Sequence, residues 1–183
     1  MLAYLQYGPR HLSAFAARKS CHMLSGACMI LIGSEEPICR YFVYAVTVVS
    51  LAMTWEVFPR ALPPLWFGAA KDVGITVYLL VVCLWFYMQL PVSVLAPIFF
   101  ADPAGAIVGR YMSRKYAKMN LKWIGDKTIF GSLAVFIVTF FTASVDNQNR
   151  YYVALASTIG EAIGGKYDNL VVAVIAIGAW FFN

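Results

Sequence analysis

Residues 99 to 132 read FFADPAGAIVGRYMSRKYAKMNLKWIGDKTIFGS. An apolar run breaks on Asp102, small residues follow through Gly105 and Gly109, and a basic stretch ends in Lys127-Thr128 and Gly131-Ser132. Further on, Glu161 interrupts another apolar run, and Asp168-Asn169 opens the last one. Carboxylates gather divalent cations or protons, whereas a lysine beside hydroxyls and helix-start amides gathers anions. Placed together at the edge of apolar segments, they point to phosphate chemistry at a bilayer surface.

Each group also has a plainer reading. Asp102 with Pro103 suits the cap and first turn of a new helix as well as it suits a metal ligand. Gly105 and Gly109, four residues apart, fit a close helix contact. Lys127 is either an interfacial lysine or an anion-binding cation at a helix start, and the G-x-x-x-x-G-K-[ST] loop is absent. Asp168 or Asn169 can cap the last helix. Glu161 is harder to dismiss, because a carboxylate inside a span costs about 3 kcal/mol on insertion scales unless it finds a metal, a base or a proton. Near the start, Arg18, Lys19 and His22 fall within one helical turn, so they share a face.

The elements that position these groups must lie in a membrane. The chain has 183 residues, 61% hydrophobic and 13% charged, with a mean hydropathy of +0.71, outside the range of ordinary soluble domains. The net charge of +5 suits anionic headgroups or nucleotide phosphates, and basic cytoplasmic loops produce the same excess; no nucleic-acid partner is expected. Cys21, Cys28, Cys39 and Cys83 form no C-x-x-C pair, and His11 and His22 are far apart, so any metal falls to carboxylates.

Apolar stretches occur at about residues 20–33, 38–55, 74–90, 91–108, 129–145, 151–164 and 169–182. They predict an all-α, polytopic membrane protein with about seven transmembrane helices, several short, tilted or broken, forming one domain over residues 1–183. With the N-terminus inside, twelve of the Lys and Arg residues (10, 18, 19, 60, 71, 110, 114, 115, 118, 122, 127 and 166) fall on the cytoplasmic side, and only Arg40 and Arg150 fall outside. The first apolar run reads as a retained helix, since no small-residue cleavage site closes it. Between residues 109 and 128 a basic loop is expected on the cytoplasmic face.

Taken in order, R-K-x-x-H-x-x-x-G at Arg18, A-D-P-x-x-x-x-x-G-R at Ala101, K-T-x-x-G-S at Lys127 and E-x(6)-D-N at Glu161 resemble the CTP-dependent lipid kinases. These are the phytol kinases, dolichol kinases and CTP-dependent diacylglycerol kinases, related to phosphatidate cytidylyltransferase. The resemblance implies Mg²⁺ and CTP as phosphate donor. It implies Asp102, Glu161 and Asp168 as metal and catalytic residues, with His22 a further candidate acid or base. It implies Arg18, Lys19, Arg110, Lys127, Thr128, Gly131, Ser132 and Asn169 as nucleotide-phosphate residues. Glu56, Arg60 and Lys71-Asp72-x-Gly74 are similar to the family's second loop. The acceptor would be a membrane lipid alcohol, reached from the cytoplasmic face of an endoplasmic reticulum, plastid or bacterial inner membrane, by a monomer or a homo-oligomer. The alternatives are a CTP-using cytidylyltransferase, whose S-x-x-K-R-x-x-K-D and D-R-x-D signature is absent, and a transporter of lipid or anions.

Overall fold

The computed structural model describes residues 2–8 and 11–183; Arg10 lies outside the described residues. Among these residues are eight α-helices and one β-hairpin. The helices are α1 (Leu2–Tyr7), α2 (Ala14–Ile32), α3 (Pro37–Thr54), α4 (Val73–Tyr87), α5 (Ala96–Lys115), α6 (Ile129–Thr142), α7 (Asn147–Gly164) and α8 (Asp168–Phe181). The strands are β1 (Lys122–Ile124) and β2 (Lys127–Thr128). Each of the seven apolar stretches lands on one helix, α2 to α8.

Three helical segments, Pro37–Thr54, Val92–Lys115 and Asn147–Phe181, are long and apolar enough to cross a membrane. Helix surfaces also present large apolar side chains outward, among them Leu31 at 85% exposure and Phe141 at 73%. Water would penalise such faces and lipid does not. This is the make-up of a membrane protein.

The chain, expected as one domain, divides by its own contacts into two compact units, Met1–Val92 and Ser93–Asn183. In the first, Ala17, Met53, Leu65 and Phe67 form a core, with Leu5, Leu62, Trp66 and Ile75 packed against it. Asp72 starts α4 by accepting from the Ile75 amide at 3.0 Å. The same carboxylate takes both arms of Arg18, at 2.6 Å and 3.1 Å, tying α2 to the start of α4.

Desolvation at Asp72 works against its charge, but the Ile75 amide and Arg18 outweigh it and hold the carboxyl below its ordinary 3.8. A lowered folded value means that the link stabilises the protein above pH 3.8 and is lost as pH falls through the depressed value. Asp72→Asn is expected to keep the cap, lower stability at neutral pH by about 1–2 kcal/mol, and flatten the loss of stability on acidification. Thermal unfolding in detergent as a function of pH measures this.

In the second unit, α5, α6, α7 and α8 pack in sequence, with α5 also touching α8. The contact between α5 and α6 is made by glycines. A Cβ on Gly105 would lie 2.5 Å from Val135 Cγ2, and one on Gly109 would lie 2.9 Å from Thr128 Oγ1. A Cβ on Gly131 would meet the Gly105 carbonyl oxygen at 3.0 Å. The packing reading of the glycine pair therefore holds, with Gly131 as its third member.

Three sequence expectations change here. Asp102 and Pro103 do not cap a new helix; both lie inside α5, whose first turn already contains Pro97. Pro103 is fully buried, and a proline lacking its amide is tolerated in a packed membrane helix. The basic stretch is not one loop, because α5 continues through Arg110, Arg114 and Lys115, and cations in a last turn complement the helix dipole. Its remainder turns through the β1–β2 hairpin, with Gly125 at φ 53° between the strands. Finally, neither Asp168 nor Asn169 caps α8; that position is held by Tyr167, and Asp168 sits in the first turn.

Candidate functional site

Within the second unit, three carboxylates converge from three helices. One oxygen each from Asp102 in α5, Glu161 in α7 and Asp168 in α8 lie within 4.8 Å of one another. Lys127, at the start of β2, reaches into this group. Its Nζ donates to Glu161 Oε1 and, at 3.1 Å, to Asp168 Oδ2. Lys127 is thus shared between two of the three carboxylates.

Burial on its own would strip the proton from Lys127. The hydrogen bond and charge of Glu161, followed by those of Asp168, more than offset it and hold the ammonium above its ordinary 10.5. Lys127 is therefore held as a cation near neutral pH, the form that binds an anion.

Beside the cluster opens a pocket of about 390 Å³, within the size range of small-molecule sites. Gly105, Gly109, Gly131 and Thr128 form one wall, and Arg110, Arg114, Lys122 and Lys127 bring four cations to it. Asp126 and Glu161 are its acidic members. Asp126 is engaged by Lys122 at 2.6 Å, an exposed pair that contributes little to stability.

The turn that carries Lys127 is held from several directions. Thr128 caps α6 by accepting from the Gly131 amide at 3.3 Å, and Ser132 Oγ accepts from the indole N–H of Trp123 at 2.9 Å. Asn120, buried at 5% exposure, was not anticipated from sequence. Its amide donates to the Gly109 carbonyl and to Ser113, both at 2.9 Å, and its Oδ1 accepts from the Phe130 amide at 3.0 Å. It thus satisfies an orphan amide of α6 and ties it to α5. Asn120→Ala is expected to cost about 1–3 kcal/mol, the penalty for unsatisfied buried groups, seen as a lower melting temperature. The sequence signal was an asparagine nine residues before a helix start, too remote to resemble a cap.

Of the anticipated residues, the structure brings together Asp102, Glu161, Asp168, Lys127, Arg110, Thr128, Gly131 and Ser132. Asn169 follows Asp168, is 8% exposed, and its Oδ1 has no hydrogen-bond partner among the described residues. Arg18, Lys19 and His22 belong to the first unit. There Arg18 is committed to Asp72, and His22 packs edge-on to Tyr78 with ring centroids 4.4 Å apart. Comparison of the chain with protein-family models, with curated proteins and with solved structures found no match in any of the three.

Proposed function

We propose that the protein is a multi-pass membrane lipid-alcohol kinase that transfers the γ-phosphoryl group of CTP to the hydroxyl of a polyprenol, a phytol-like alcohol or a diacylglycerol. The observation that carries this reading is the three-carboxylate cluster, whose Glu161, together with its partner Lys127, also lines a pocket with four cations. Phosphoryl transfer asks mainly for charge neutralisation and in-line positioning, and these are the groups that supply both.

The donor set fits Mg²⁺. Asp102, Glu161 and Asp168 are hard oxygen ligands of the kind that Mg²⁺ takes, and Asn169, next in the chain to Asp168, carries a buried side-chain oxygen with no hydrogen bond among the described residues. When bound, the ion supplies charge neutralisation on the phosphate oxygens. The protein's own groups do the rest. Lys127 and Arg110 attract the phosphates, Arg114 and Lys122 extend the positive field, and the glycine wall lets the backbone approach them. A carboxylate of the cluster accepts the proton of the alcohol.

The seven-span topology with a cytoplasmic N-terminus belongs to the same proposal. It puts Asp102, Lys127, Glu161 and Asp168 toward the face where nucleotide is found, and the acceptor's tail stays in the bilayer. The reading is tested by purified protein with Mg²⁺ and a panel of phytol, farnesol, dolichol and diacylglycerol against CTP and ATP. At least one alcohol is expected to be phosphorylated, and Asp102→Asn to abolish the reaction. Nucleotide-independent lipid or anion flux in proteoliposomes, with no phosphorylation, would favour a transporter instead.

A further inference from the structure

The segment joining α5 to β2 combines order with an unusual surface. Between Tyr116 and Trp123 only Asn120 is buried, and its three hydrogen bonds fasten the segment to α5 and α6. The Met119 and Asn120 amides both donate to the Tyr116 carbonyl, so the turn is fixed. What this turn presents outward is apolar: Met119 at 65% exposure, Leu121 at 58%, Trp123 at 45% and Tyr116 at 41%. Interleaved with them are Lys115, Lys118 and Lys122, also exposed. Asp126 is the only acidic residue between Asp102 and Asp146.

An aqueous loop gains nothing from displaying these side chains, and a deep membrane segment would not carry the lysines. Apolar and aromatic side chains alternating with lysine, at the end of a helix able to span a bilayer, match the interfacial zone of an anionic leaflet. The segment is also wired to the candidate site. The Ile129 amide donates to the Leu121 carbonyl at 3.0 Å, Trp123 donates to Ser132, and β1 pairs with β2, Ile124 opposite Lys127.

We infer that residues 115–123 are a docking surface for anionic lipid, seating Met119 and Leu121 among the headgroups with Lys115 and Lys118 against their charges. Through Trp123 and the hairpin, seating fixes Ser132 and Lys127. The second half of this inference rests on the kinase reading; the first does not.

The test places a nitroxide at position 119, in a variant lacking the four cysteines, in nanodiscs of phosphatidylcholine alone or mixed with phosphatidylglycerol. Accessibility to oxygen and to a water-soluble nickel reagent is then compared. With phosphatidylglycerol the label is expected to become more accessible to oxygen than to nickel, less so at high salt. Lys118→Gln is expected to weaken seating about fivefold, and Leu121→Ser to return the label to water. A label equally water-exposed in both lipids overturns the docking surface, and would leave a soluble partner as the occupant. Phosphotransfer is expected to rise several-fold with phosphatidylglycerol in the parent and much less in Trp123→Phe, which loses the bond to Ser132. Immersion of the label with no change in rate overturns the coupling alone. Absence of phosphotransfer in every lipid defeats the kinase reading and leaves the spin-label result to decide docking.

Discussion

Lys127→Met is expected to lower kcat about 10²–10³-fold, the usual loss when one preorganised charge stabiliser is removed from a reacting centre. The lysine has two functions that must be separated. It neutralises Glu161, which is 5% exposed, and it lines the pocket in which the phosphates are proposed to sit. Losing the first leaves a buried carboxylate without its cation, a defect of about 3–5 kcal/mol unless the group takes up a proton. Adding Glu161→Gln to Lys127→Met should therefore recover much of the melting temperature. It should not recover phosphotransfer, because the cation is still missing and a proposed metal ligand is lost with it. Recovery of both would reduce Lys127 to a structural counter-ion. Lys127→Arg is not a conservative control, because a planar guanidinium cannot reproduce a compact ammonium shared between Glu161 and Asp168.

The largest effect on folding is expected at the glycine contact between α5 and α6. Gly105→Ala places its methyl 2.5 Å from Val135 Cγ2 and 3.1 Å from the Gly131 carbonyl oxygen, and should cost about 1–3 kcal/mol as an overpacked site. Gly105→Leu should leave no folded protein, since the helices cannot both stay in contact and hold the side chain. Val135→Ala opens space at the first of these contacts, and the double variant with Gly105→Ala should regain more than half of the lost stability. Thermal unfolding of the four proteins in one detergent makes the double-mutant cycle. Because Gly105, Gly109 and Gly131 also wall the pocket, Gly105→Ala should weaken the proposed nucleotide binding as well.

Much of this site was legible in the sequence because its members are costly exceptions to their surroundings. Glu161 stands in an apolar run, and the structure buries it and gives it Lys127. Asp102 was visible for the same reason, whereas Lys127 and Asp168 stood out as polar groups at the entries to apolar runs. Helix positions were equally legible, since each apolar stretch became one helix. The beginnings and ends were less so. Pro103 looked like a helix start, but Pro97 had already begun α5 and packing carried the helix through the second proline. The β1–β2 hairpin hid in a basic stretch, although Gly125-Asp126 between Ile124 and Lys127 is a two-residue turn signal. Asn120 was invisible because its importance comes from three partners, two on α5 and one on α6. Arg18 was read with the phosphate residues, and its structural partner, Asp72, lies 54 positions away.

The most direct test is to give purified protein and Mg²⁺ either a lipid alcohol or its monophosphate, with CTP labelled at its γ- or its α-phosphate. With the alcohol, γ-label is expected in the lipid and α-label in CDP, and both Asp102→Asn and Lys127→Met are expected to suppress the transfer. Label from the α-phosphate in the lipid, with release of pyrophosphate, would contradict the kinase reading in favour of a cytidylyltransferase. No label in the lipid from either position would contradict phosphotransfer altogether.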